Sequence, residues 1–90
     1  PDDFSYIGGM NEIERQGLKI PDDISVAGYD GILLSQVLRP KLTTLRQNAE
    51  ALGSEAAQLL IEAIEAPKTY IPRRIVVPGN VQEGDTVRQL

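Results

Sequence analysis

An α/β fold built on an open parallel sheet is predicted by three features of this chain. Helix-like and strand-like segments follow in the order helix, strand, strand, helix, strand, the pattern of layered α/β proteins. The stretch ISVAGY at residues 24–29 is apolar at nearly every position, as in strands covered on both faces. The two helical segments carry apolar residues at steps of three and four, which places those residues on one face.

The first helix is read over residues 4–17, where Phe4, Ile7, Met10 and Ile13 recur every third position and Asn11, Glu12, Glu14, Arg15 and Gln16 fill the remainder. Asp3 is the expected N-cap. Gly17 suits the C′ position, with Leu18 closing the end by an apolar contact, and Pro21 forbids further helix. Gly8 and Gly9 each cost about 1 kcal/mol relative to Ala inside a helix, so close packing against a sheet is expected to justify them. They resemble half of a glycine-rich phosphate loop, but they follow no strand and sit within a helical pattern.

After the strand at 24–29, ILLSQVLRP reads as an apolar loop or a short helical turn ended by Pro40, and LTTLRQ returns to strand composition. Residues 48–66 form the strongest helical pattern. Leu52, Ala56, Leu59, Leu60, Ala63 and Ile64 oppose Glu50, Glu55, Gln58, Glu62 and Glu65, Asn48 caps the start, and Pro67 stops it. RRIVVPGNV is read as a short strand with a turn at Pro78 and Gly79, and QEGDTVRQL as a fraying tail. A sheet of two or three short strands is a thin basis for stability. The long helix is therefore expected to present Leu52, Leu59 and Leu60 without enough of this chain to cover them, favouring dimerisation or exchange of elements.

Ninety residues can bury only about 60 to 65% of the unfolded surface. Apolar residues make up 41% and charged residues 24%, which fits a soluble globular protein, and no apolar run approaches the roughly 18 residues that span a bilayer. No membrane association is expected. A chain that opens on Pro1 is expected to be a piece of a longer protein, residues 1–90 forming one segment of it. The net charge of −4 offers no clustered Lys and Arg for a phosphate backbone, so these residues are not expected to grip DNA. With neither Cys nor His there is no disulfide framework, no thiolate and no ordinary zinc site. No metal and no cofactor is expected, and a cytoplasmic location is compatible with the absence of Cys.

In open parallel sheets, ligands bind beyond the carboxyl ends of the strands, where helix N-termini supply free N–H groups. Asp2 and Asp3 ahead of the first helix, Asp30 after ISVAGY and Gln47 after LTTLR lie at such ends and can line one pocket. A carboxylate accepts from vicinal hydroxyls and an amide both gives and accepts, which suits a sugar or a nucleoside. The bland readings stand beside these: Asp30–Gly31 is a common turn dipeptide, Asp3 a cap, and Gln47 a solvated strand end. Arg73 and Arg74 are either an anion site or, more simply, a solvated strand start. Catalysis has little to work with. Ser5, Ser25, Ser35 and Ser54 have no His to activate them, and the pairs Asp2–Asp3 and Asp22–Asp23 are adjacent in sequence and point apart. The chain is not expected to be an enzyme.

GLKIPDDISVAGYDG followed by RPKLTTLRQNAEALGSEAAQLLIEAI closely resembles the C-terminal third of the lac/gal repressor family of bacterial transcription regulators. The family pattern G-x-x-(V/I)-P-x-D-(I/V)-S-V-x-G-(F/Y)-D precedes P-x-L-T-T-(V/I)-x-Q and a helix opening near L-G-x-x-A. Order and spacing match from Asp2 to about Ile64. The resemblance implies a fragment of a periplasmic-binding-protein-like fold of type I, whose two lobes hold a small effector between them. It also implies a homodimer and a helix-turn-helix head, outside this segment, that binds operator DNA. By that resemblance the effector-binding residues are Asp30, Gln47 and Asp2, with Asp2 standing where Asn is usual, Gly31 where a second Asp is frequent and Glu83 where Arg is common. A sugar-binding component of a transport system is the alternative within the same fold. The segment LTT is implied to cross between lobes, with the helix after it belonging to the other lobe.

Overall fold

The computed structural model describes residues 2–90. It contains α1 (Asp3–Arg15), β1 (Ala27–Asp30), α2 (Leu33–Val37), β2 (Thr43–Arg46), α3 (Ala49–Glu65) and β3 (Asn80–Gln82). The chain divides into two compact units, one formed by the residues through Gln47 together with Asn80–Leu90, the other by Asn48–Gly79. It leaves the first unit after Gln47 and returns at Asn80.

In the first unit the sheet order is β1-β2-β3. β1 and β2 are parallel, with Ala27 opposite Thr43 and Asp30 opposite Arg46, while β3 runs antiparallel to β2, with Thr44 opposite Gln82. Parallel neighbours cannot be joined by a tight hairpin, and residues 31–42, including α2, make the connection. The α/β expectation holds, with an antiparallel strand added to the parallel pair. β1 is shorter than the expected 24–29 stretch, because residues 24–26 leave the ladder. Its exposure alternates, so in this chain it is not covered on both faces.

α1 ends as expected. Gly17 has φ +81, its N–H donates to the Glu14 carbonyl at 2.9 Å and Leu18 N–H to the Ile13 carbonyl at 3.2 Å, the paired bonds that close a helix around a left-handed C′ glycine. Two expectations fail at its other parts. The N-cap is Asp2, not Asp3, and the buried face is Asp3, Tyr6 and Met10, with Phe4 exposed. The stripe at every third residue drifts around a 3.6-residue helix, whereas steps of three and four from Asp3 stay on one face. A Cβ at Gly8 or Gly9 would meet nothing within 4 Å, so close packing within this chain does not account for them.

The core of this unit is Tyr6, Met10 and Leu42, with Ile7, Ile20, Val26 and Leu38 packed against it. Tyr6 donates its hydroxyl to Met10 Sδ at 3.2 Å, and burial pushes the Tyr6 pKa up. So few apolar side chains leave much of the cohesion to hydrogen bonds, and the C-terminal segment supplies them. Thr86 is fully buried. Its Oγ1 donates to the Val26 carbonyl at 2.6 Å and accepts from Thr43 N–H at 2.9 Å, and Val26 N–H donates to the Thr86 carbonyl at 2.9 Å. Gly84 N–H reaches Thr43 Oγ1 at 3.0 Å and Arg88 N–H reaches Ser25 Oγ at 2.9 Å. The expected fraying tail is thus tied to β2 and to the segment leading into β1. The expected strand at RRIVVPGNV is displaced as well: residues 71–79 are irregular and the strand begins at Asn80.

The second unit holds α3, capped by Asn48, whose Oδ1 accepts from Ala51 N–H at 3.0 Å, and no residue of α3 is buried. Leu60, Ile61 and Ile64 are 62%, 52% and 68% exposed. Arg73 pairs with Glu62, Nη1 to Oε2 at 2.8 Å and Nη2 to Oε1 at 3.2 Å. It starts no strand, and its guanidinium is engaged by the Glu62 carboxylate.

Candidate functional site

The carboxyl ends of β1 and β2 converge with the start of α1. Asp30, the last residue of β1, is half-buried, and its Oδ1 accepts a 2.6 Å hydrogen bond from Gln47 Nε2. Its carbonyl accepts a second from the Gln47 backbone N–H at 3.1 Å. Asp30 therefore grips Gln47 twice, and Gln47 is the final residue before the chain leaves the first unit. Asp30 has φ +120, a conformation rare for any residue with a side chain and kept only where the surroundings over-determine it.

A planar amide whose Nε2 faces Asp30 directs its Oε1 the other way, and a carboxylate that uses Oδ1 retains Oδ2. The pair thus offers acceptor oxygens to a ligand, the complement of hydroxyl donors. The two residues singled out from the ends of separate strands meet in the fold.

Asp2 caps α1, its Oδ1 accepting from Ser5 N–H at 2.8 Å; that bond, with a contribution from the Ser5 side chain, holds its carboxyl below the usual carboxylate range. Asp2 is exposed. Among the described residues no hydrogen bond joins it to Asp30 or Gln47. Its neighbour Asp3 makes the link instead, accepting from Gly31 N–H and Ile32 N–H, each at 3.0 Å, immediately after Asp30. Asp3 also accepts from Thr44 Oγ1 at 2.8 Å. The sequence places Asp3 at this end of the sheet but announces neither its burial nor its partner Thr44, since the groups it binds lie 28 to 41 residues away. The available signal was helical phase: Asp3 lies three residues before Tyr6 and seven before Met10, on the face that packs inward. Among the described residues no group of three or more His, Cys, Asp or Glu is arranged to hold a metal ion.

A short strand ending in Asp30, a parallel neighbour followed directly by Gln47 and a helix starting beside them are the parts of one lobe of a periplasmic-binding-protein-like fold. The chain belongs to the family of the periplasmic binding protein-like domain, which it matches over residues 2–87, and within it to the C-terminal part of the effector-binding domain found in lac/gal-type repressors. It is 37% identical over 89 residues to the ribose operon repressor of Lactococcus lactis, covering 99% of this chain and 27% of that protein. It is 39% identical over 88 residues to the probable HTH-type transcriptional repressor ExuR of Bacillus subtilis, covering 98% of this chain and 26% of that one. The structure of a LacI family transcriptional regulator from Enterococcus faecium with bound ribose superposes with a TM-score of 0.85 at 30% identity, over 99% of this chain and 33% of that one. The chain thus spans about a quarter of the length of the repressors it matches.

Proposed function

We propose that this chain is the C-terminal effector-binding portion of a bacterial DNA-binding transcriptional regulator that senses a small metabolite, a sugar above all. The observation that carries the reading is the Asp30–Gln47 pair at the carboxyl ends of two parallel strands, where open α/β sheets bind ligands. Asp30 accepts from the sugar hydroxyls, Gln47 adds a further acceptor while holding Asp30 in place, and Asp2 contributes a carboxylate from the start of α1. Acceptors in this number favour a polyhydroxylated ligand. The E. faecium regulator that shares the fold holds ribose, which supports the same class here.

In the longer protein a helix-turn-helix head outside this segment binds operator DNA, and two copies act as a homodimer. Effector binding favours one arrangement of the lobes and thereby alters the spacing of the two heads, a population shift set by the effector's differential affinity. The protein carries out no reaction and acts in the cytoplasm. A transport component of the same fold is the second reading; the relatives, named as repressors, favour regulation. Among the described residues no helix is long and apolar enough to cross a membrane.

Calorimetric titration of the complete protein against a panel of sugars and nucleosides tests the proposal. One sugar is expected to bind, and Asp30→Ala to weaken it about 100-fold or more, since a charge-assisted hydrogen-bond pair is lost. Equal affinity of wild type and Asp30→Ala for that sugar contradicts the site, and binding of none of the panel contradicts the sugar-sensing reading.

A further inference from the structure

We propose that Asp3 is a positioning residue for the effector contact: its buried carboxylate clasps the turn after β1 and so holds Asp30 in the left-handed conformation that meets Gln47. The proposal rests on the reading of Asp30 as an effector ligand. Asp3 is only 1% exposed, and both of its oxygens are bonded. Oδ2 accepts from two successive N–H groups, Gly31 and Ile32, at 3.0 Å each, while Oδ1 accepts from Thr44 Oγ1 at 2.8 Å. One side chain at the start of α1 therefore ties the turn following β1 to β2.

Two consecutive N–H groups converge on one oxygen because the backbone changes hand between them, from φ +73 at Gly31 to φ −65 at Ile32. Such concave runs of amides bind anions, and here the anion belongs to the protein. The preceding residue, Asp30, is the one non-glycine with positive φ among the described residues. It is held on one side by the clasped amides of Gly31 and Ile32 and on the other by the two hydrogen bonds it accepts from Gln47. Relaxing Asp30 to the ordinary extended region would swing the Gly31 and Ile32 amides away from Asp3, so the clasp and the left-handed residue require each other.

The fold makes room for this carboxylate. A side chain on Gly28 would collide with Asp3 Oδ1 and lie 2.8 Å from Leu42 Cδ2, and one on Gly31 would lie 2.6 to 2.7 Å from Arg46 Cα and Cβ. Asn in place of Asp3 can keep the arrangement, its oxygen accepting from both amides and its nitrogen donating to Thr44 Oγ1. Ala cannot.

The deciding experiment is a set of crystal structures of the complete protein as wild type, Asp3→Asn and Asp3→Ala, without ligand. Asp3→Asn is expected to keep φ positive at residue 30 and the Asp30–Gln47 contact. Asp3→Ala is expected to lose both, with Asp30 relaxing to negative φ. An Asp3→Ala structure that retains the positive φ and the contact overturns the proposal. Should Asp3→Ala not fold, amide hydrogen exchange on the wild type decides. The Gly31 and Ile32 amides are expected to exchange about 100-fold or more below unstructured rates, and exchange at open-loop rates overturns the clasp. None of these readouts involves a ligand, so failure of the panel to yield a bound sugar leaves them standing, and their failure leaves the sugar titration intact.

Discussion

The two compact units are stabilised by opposite means. The unit that holds the sheet has a small apolar core but a dense set of buried polar links: Asp3, Ser35, Thr44 and Thr86 are all buried, and Asp3, Thr44 and Thr86 are bonded across long sequence separations. The unit that holds α3 carries a well-formed amphipathic helix of 17 residues with no buried side chain, held locally by an Asn48 cap and an exposed Arg73–Glu62 pair. The contrast teaches that a good helical pattern says what a helix is prepared to bury, while burial depends on what the rest of the chain supplies.

Several substitutions sharpen that contrast. The largest effect is expected at Asp3→Ala in the complete protein. Loss of three buried hydrogen bonds, two leaving N–H groups without partners, costs about 3 to 5 kcal/mol, read from denaturant unfolding. Thr86→Val comes next. It keeps the shape but removes the hydroxyl's bonds to the Val26 carbonyl and the Thr43 N–H, and a loss of about 2 to 3 kcal/mol is expected by the same measurement. Leu60→Asp discriminates between the units. In the 90-residue chain its exposed position predicts less than about 0.5 kcal/mol, whereas in the complete protein, where an apolar neighbour is expected to cover it, a cost of about 2 kcal/mol or more is expected. Equal effects in the two contexts would break the contrast.

The smallest effect concerns the Arg73–Glu62 pair. The hydrogen bond from Arg73 holds the Glu62 carboxyl below its ordinary value of 4.5. A depressed acid stabilises the fold above its unfolded pKa and loses that stabilisation as pH falls through the folded one. Wild type is therefore expected to lose the contribution only below about pH 4.5, and Glu62→Gln to show a correspondingly flatter acid limb in thermal melts across that range. Exposed pairs contribute little, and added salt is expected to erase the difference.

Much of the fold was legible because its signals are local. Gly17 closes α1, Asn48 caps α3, and the strand-like runs ending at Asp30 and Gln47 place both residues at the sheet's carboxyl end. The part that was not legible depends on partners distant in sequence. Nothing near QEGDTVRQL indicates that Thr86 will be buried against Val26 and Thr43, since the hydroxyl's partners lie 60 and 43 residues away. Asp before an apolar run usually caps a helix, which points to Asp3; the cap is Asp2, and the burial of Asp3 depends on Gly28 leaving space across the sheet. Phe4 was assigned to the core by a strict three-residue repeat, and a helix of 3.6 residues per turn carries it out to solvent. The positive φ of Asp30 follows from its bonds to Gln47 and from the clasped turn behind it, and no dipeptide preference announces it.

The most direct measurement is the crystal structure of the complete protein soaked or grown with the sugar that binds it. The account expects the sugar's hydroxyls within hydrogen-bond distance of the Asp30 carboxylate and the Gln47 amide, with Asp30 still at positive φ. A sugar bound elsewhere, touching neither side chain, would contradict it.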